Sequence, residues 1–296
     1  MVKSFATPAT FKTSLEARIR ALAAQRTIPI NTLRLKLVIE RLLARLFDRA
    51  NPPWVLKGGY AMELRYRPRA RTTRDIDLTC AAFGDMELQT RLRLVRDQLQ
   101  AAAETDLGDF MAFRIEEPQA ELAGAPLGGA RFPCEALLAG KTYGRFHIDL
   151  GFGDEMGADP EVLSCEDLLA FAGIPPARVL AIPKPQQFAE KIHAYTRPWD
   201  DRLNMRTKDL VDLVLLIETA SVEHAEVSAA VHATFARRNT HPIPTVLPDP
   251  PAVWAEDFSA LAEGHRLERP RGPSIPIQAS MARHTGHSGA TKRGRS

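Results

Sequence analysis

Cysteine is scarce in this chain: three residues in 296, Cys80, Cys134 and Cys165, widely spaced, odd in number and without a CxxC pair. This excludes a disulfide framework and gives no zinc signature, so buried free thiols are expected. Long apolar runs are missing as well. Stretches such as Leu210 to Ile217 are far too short to span a bilayer, and the N-terminus lacks the basic-then-apolar design of a secretory signal. The expectation is a cytoplasmic protein with no membrane partner. Absent too are a GxSxG nucleophile elbow, a Walker A lysine motif and a GxGxxG fingerprint, which argues against hydrolase, P-loop and dinucleotide-binding chemistry. No internal repeat is evident.

What remains is a globular composition, 45% hydrophobic, with a net charge of +3 that is unevenly spread. Residues 265–296 hold seven Arg/Lys against one Glu, so residues 1–264, with 32 basic and 35 acidic residues, stand near −3. Within that body, Lys57, Arg65, Arg67, Arg69, Arg71 and Arg74 face Glu63 alone over residues 57–74, a local +5 able to attract polyanions. Residues 11–49 carry nine Arg/Lys and three acids, a pattern more often a solvated helix face than a nucleic-acid contact.

The stretch from Trp54 to Leu78, WVLKGGYAMELRYRPRARTTRDIDL, concentrates the chemistry. A short apolar strand ends in Gly58-Gly59, a helical turn and an arginine-rich segment follow, and the stretch closes on Asp75-Ile76-Asp77. Strand residues alternate faces, so Asp75 and Asp77 point one way while Ile76 and Leu78 point inward. Two rises of roughly 3.3 Å place their backbones about 7 Å apart, where two carboxylates repel unless a cation joins them. Mg²⁺ or Mn²⁺ suits such a pair, completing its shell with water and phosphate oxygens. Backbone N–H groups at a glycine turn entering a helix cradle phosphate, because nothing on the glycines blocks approach. A GG pair alone is an ordinary turn; joined to a carboxylate pair on the next strand, it points to metal-assisted phosphoryl or nucleotidyl transfer.

Periodicity predicts helices over 14–25, 32–49 (Asn31 as N-cap), 86–103, 185–195, 207–220 and 223–238, and strands over 110–115, 131–138 and 144–150. Asp149, alternating with Ile148 and Leu150, is a candidate third carboxylate on a strand beside Asp75 and Asp77. The fold class is α+β, a mixed sheet flanked by helices with a helical C-terminal half. The domains are residues 1–180, 181–264 and a disordered basic tail at 265–296. His147 and His193 form no ligand-spaced cluster and read as structural. Taken alone, Lys191 reads as a solvated lysine and Asp209 as an acid in a first helical turn. By helical wheel Asp209 borders the buried stripe of its helix, and Asp212 lies further toward the polar side.

The blocks LKGGYAMELR (56–65), RTTRDIDL (71–78), FHIDLGFGD (146–154), FAEKIHAYTR (188–197) and RTKDLVDL (206–213) resemble, in order, the AbiEii/AbiGii toxin family, a branch of the DNA polymerase β-type nucleotidyltransferase superfamily. The resemblance spans roughly residues 14 to 220 and implies a nucleotidyltransferase fold whose active site is completed by the helical domain. It implies that Asp75 and Asp77, less securely Asp149, hold the catalytic metal. Lys57, Gly58, Gly59, Thr73, Arg74 and Lys191 would bind nucleotide, and Asp209 would be essential for transfer. This chain has Gly-Gly where the wider superfamily shows Gly-Ser, so the cradle relies on backbone. Members are toxins of toxin–antitoxin or abortive-infection pairs, encoded beside an antitoxin, and some mycobacterial relatives add nucleotides to tRNA 3′ ends. The clustered Arg65, Arg67, Arg71 and Arg206 are then candidates to hold an RNA backbone, tRNA by this resemblance. Alternatives are transfer to a protein or small molecule, or a non-catalytic regulator that binds nucleotide or RNA.

Overall fold

A computed structural model of the chain describes residues 4–67, 70, 73–80, 86–122, 124–154, 156–198, 206–219 and 223–264. The expected basic tail, Arg71, and most of the loop between Arg197 and Arg206 lie outside the described residues. The chain forms two compact units, Met1–Pro183 and Lys184–Ser296.

The first unit opens with helices α1 (Pro8–Arg26) and α2 (Ile30–Leu46). Phe11, Leu15, Ile19 and Ala23 recur every four residues along α1 and are all buried. The second helix begins at Ile30, with Pro29 rather than Asn31 at the cap. Asn31 is drawn into the first turn, where its Oδ1 accepts from Arg34 Nη1 at 2.9 Å, and proline's fixed φ suits the entry to a helix.

Strand β1 (Trp54–Lys57) leads through α3 (Gly58–Tyr66) to β2 (Ile76–Cys80), antiparallel to it. Helix α4 (Leu88–Ala103) precedes β3 (Met111–Ile115), the short β4 (Ala120–Glu121), and a long hairpin of β5 (Gly129–Leu138) and β6 (Lys141–Phe152). The four-residue strands β7 (Glu161–Ser164) and β8 (Arg178–Ala181) complete the sheet. Its order is β3-β5-β6-β2-β1-β8-β7, with β4 against β5, and β6 runs parallel to β2. The expected neighbourhood of Asp149 and the Asp75/Asp77 strand is therefore present.

One face of the sheet is apolar. Ile76, Leu78, Phe132, Ile148 and Leu150 are buried there in one core with α1, α2 and α4. The three thiols are free and buried as expected, and burial pushes Cys80 up to about 12. Among the described residues no helix is long and apolar enough to cross a membrane.

Charged groups also lie inside this unit. Glu40 is buried on α2, accepts from the Tyr60 hydroxyl at 3.4 Å and from Glu166 N–H at 3.2 Å. Burial, only partly offset by Lys36, raises its carboxyl from the usual 4.5 to about 7. With the folded value above the unfolded one, the contribution of Glu40 to stability is complete below pH 4.5 and is lost as pH rises through about 7. Glu40→Gln should thus be more stable than the parent by about 1–3 kcal/mol at pH 8 and no more stable below pH ~4.5, read by urea unfolding at both pH values. A gain independent of pH would contradict this origin.

The second unit packs α5 (Lys184–Thr196) against α6 (Thr207–Thr219) and α7 (His224–Arg238), and α6 also against α8 (Trp254–Gly264). Leu210, Leu213 and Val214 form the buried stripe of α6. His193 donates to or accepts from Thr240 Oγ1 at 2.9 Å, and burial lowers it to about 3, so it stays neutral at working pH. It is a structural histidine.

Candidate active site

Strand register builds the site. Residues paired across neighbouring strands point to the same side of a sheet. Arg131 on β5 pairs with Asp149 on β6, Asp149 with Asp77 on β2, and Asp77 with Lys57 on β1, giving one row of four charged side chains across four strands. These side chains lie on the face opposite the buried Ile76, Leu78, Ile148 and Leu150. Asp75 stands one residue before β2, 3.4 Å from His147 Nδ1 and 4.0 Å from Arg131 Nη2. The alternation expected for Asp75-Ile76-Asp77-Leu78 holds in burial: the aspartates are partly exposed and the two aliphatic residues fully buried.

The Gly-Gly turn is fitted to this row. Gly58 opens α3 with φ +65°, in the left-handed region that favours glycine, and a Cβ on it would lie 2.7 Å from Asp77 Cβ and closer still to the carboxylate. Only a glycine lets the start of α3 approach Asp77 this closely. Gly58→Ala should cost about 1–3 kcal/mol and displace the carboxylate. The cost should shrink in an Asp77→Gly background, where no side-chain atom is left to meet the new Cβ; equal costs in both backgrounds would refute the contact.

The loop before Asp75 is held from beneath. The Thr73 N–H donates to Glu63 Oε2 at 2.9 Å, while the other Glu63 oxygen accepts from Lys36 Nζ at 3.1 Å. Lys57 pairs with the buried Asp154, and Arg74 is exposed beside Asp75.

Several arginines differ from expectation. Arg65 is only 2% exposed in its side chain and donates to Glu161 Oε2, at 3.1 Å from Nη2, and to the Ile182 carbonyl. Its guanidinium ties α3 to β7 and to the residue after β8 and does not face an RNA. Arg67 donates to the Ser164 carbonyl at 2.8 Å and lies 3.8 Å from Glu40, so it too serves the fold. Conversely, Arg131, which no motif marks, holds Asp149 through two 2.7 Å hydrogen bonds. Its signal was its alternation with the buried Phe132 on the strand facing Asp149.

In the second unit, buried Lys191 donates to Asp209 Oδ1 at 2.7 Å and pairs with Asp212 Oδ2 at 2.7 Å. Burial would raise the Asp209 carboxyl, but Lys191 and then Arg206 outweigh it and the net shift is downward. Asp212, expected further toward the polar side, is 1% exposed because it shares this lysine. Arg206 is half-exposed and donates to Asp209 Oδ2 at 3.0 Å.

The residues present fit a divalent ion in one respect and not in another. Asp75 and Asp77 supply the hard oxygen donors that Mg²⁺ takes from a protein, with substrate phosphate and water completing the shell. Asp149, expected among the ligands, instead has both oxygens engaged by Arg131. Among the described residues no group of three or more His, Cys, Asp or Glu side chains is placed to hold a metal. The fit is therefore to a carboxylate pair and not to a three-carboxylate cage.

Among solved structures, MenT4, a nucleotidyltransferase toxin from Mycobacterium tuberculosis, superposes with a TM-score of 0.59 at 17% identity, over 90% of this chain and 87% of that one. This likeness is one of fold. An antigenic nucleotidyltransferase-like protein from Paracoccidioides brasiliensis aligns with a TM-score of 0.37 at 16% identity, over 78% of this chain and 93% of that one. The antibiotic-resistance factor ANT(2″)-Ia aligns at 0.35 and 19%, over 68% and 91%. No curated protein matches the sequence. Residues 41–280 match the family described as nucleotidyl transferase AbiEii toxin, type IV TA system. With four-fifths of its length inside that match, the chain belongs to the AbiEii family of nucleotidyltransferase toxins.

Proposed function

We propose that the protein transfers a nucleoside monophosphate from an NTP to an RNA acceptor, tRNA by family resemblance, and that Asp75 and Asp77 hold the divalent ion the reaction needs. The observation that carries this reading is the seating of Asp77 against Gly58 at the start of α3, which brings a carboxylate and a helix N-terminus together without an intervening side chain. A helix N-terminus favours phosphate and a carboxylate repels it, so their closeness makes sense with a cation between carboxylate and phosphate. When bound, the ion supplies charge neutralisation for the triphosphate and lowers the pKa of an attacking hydroxyl.

The chain's own groups do the rest. Backbone N–H groups of Gly58 and Gly59 cradle the phosphates, with Thr73, Arg74 and Lys57 beside the pair as further nucleotide contacts. By the family resemblance Lys191, which donates to Asp209, is a further candidate for binding nucleotide phosphate. The acceptor hydroxyl gives up its proton to solvent, its oxygen bonds to the α-phosphorus, the α–β phosphoanhydride bond breaks, and pyrophosphate leaves with the electron pair. Arg206 remains a candidate for the RNA backbone; Arg65 is withdrawn from that role by its burial. The family's type IV toxin–antitoxin setting implies a cognate antitoxin, and NTP and tRNA as substrates fit a cytoplasmic site of action.

Purified protein incubated with total RNA, tRNA or cell protein, each labelled NTP and Mg²⁺ tests the proposal. Label on RNA with release of pyrophosphate is expected. Label on protein would move the acceptor to another class, and label nowhere would refute transfer.

A further inference from the structure

The charged row contains a cation that the nucleotidyltransfer reading does not use. Arg131 stands directly opposite Asp149 in the β5–β6 register, and its Nε and Nη2 each donate to a different oxygen of that carboxylate at 2.7 Å. Two parallel bonds from a planar fork are the strongest and most directional grip a side chain has on a carboxylate. The same Nη2 lies 4.0 Å from Asp75. At the other end of the row Lys57 pairs with Asp154 through a single ammonium contact.

We propose that Arg131 is the resident counter-ion of Asp149 and competes there with divalent cations, leaving Asp75 and Asp77 to hold the ion. This rests on the reading above. A guanidinium stays charged at every physiological pH, so the competition is not relieved by titration and ends only when the side chain swings off. Arg131 is 39% exposed in its side chain and has solvent to swing into. It acts through Asp149 and is a positioning residue.

Binding of Mn²⁺ to the full chain, followed by the electron paramagnetic resonance of the free ion, tests this without reference to turnover. Arg131→Gln should bind Mn²⁺ about tenfold more tightly than the parent, the size expected when a cation within ~4–6 Å of a carboxylate is removed. Arg131→Lys, which keeps the charge and loses the fork, should fall between them and serves as the readout if the glutamine variant does not fold. In an Asp149→Asn background the gain from Arg131→Gln should shrink to the part owed to Asp75, which Arg131 Nη2 approaches only to 4.0 Å. Unchanged affinity in both Arg131 variants, or an undiminished gain without the Asp149 carboxylate, would overturn the inference while leaving the transfer reading intact. Absence of Mn²⁺ binding in parent and variants together, with no NMP transfer, would overturn both.

Discussion

Asp77→Ala is expected to lower nucleotide transfer by about 10³-fold or more, the scale seen when a group that stabilises transition-state charge is removed. The same substitution should relieve any growth arrest the protein causes. Its effect on the fold should be small, within roughly 1 kcal/mol, because Asp77 lies partly exposed on the polar face of β2 and its flanking residues Ile76 and Leu78 carry the packing. Removing its side chain also leaves Gly58 with more room, not less. The measurement is a labelled-NTP assay beside a thermal melt of the same preparation. A variant that melts like the parent and still transfers NMP would take the carboxylate pair out of the chemistry.

The largest effect on stability belongs to a residue far from that row. Asp109, 0% exposed, receives Arg45 Nη2 on Oδ1 at 2.6 Å and Arg41 Nε on Oδ2 at 2.6 Å, and accepts the Met111 N–H at 3.0 Å. Both arginines are buried on α2. Asp109→Ala leaves two guanidinium groups in the interior with no carboxylate between them, and losing one partner of a buried ion pair costs about 3–5 kcal/mol. Urea unfolding at neutral pH should show a loss of that order, or no folded protein at all. Burial alone would raise the Asp109 carboxyl, but the hydrogen bonds and charge of Arg45 and then of Arg41 prevail, and the net shift is downward. The contribution of Asp109 is thus present above the unfolded carboxyl's pKa and is lost as pH falls through the lower folded value. Acid should erase the difference between parent and variant.

Local pattern made most of this fold legible, and long-range pairing accounts for what was not. Helices α2, α4, α5 and α6 have apolar stripes that periodicity locates to within a few residues, and the β5–β6 hairpin shows itself by alternation around Phe146, Ile148 and Leu150. Strands β7 and β8 are four residues each, β7 exposes Val162, and neither carries enough pattern to announce itself. The carboxylates of the candidate site were readable because Asp77 and Asp149 sit in strands between buried neighbours and Asp75 stands one residue before β2. The arginines were not. Spacing marks Arg65 as one more cation in a basic run, and only the return of the chain with Glu161 and the Ile182 carbonyl makes it structural. Arg131 posed the inverse problem: an isolated arginine whose meaning depends on which residue of β6 it faces. Asp212 moved from the polar side to the interior for the same reason, since its partner Lys191 comes from another helix.

The row from Arg131 to Lys57 also bears on how the chain assembles. A slip of β2 by a single residue against β6 would turn Ile76 and Leu78 to the charged side and drive two aspartates into the apolar layer. Mispaired sheets are thereby penalised twice, through lost oil and through stranded charge. The charged row thus doubles as a proofreading ruler during folding, and a variant in which it is neutralised would trade away part of that fidelity.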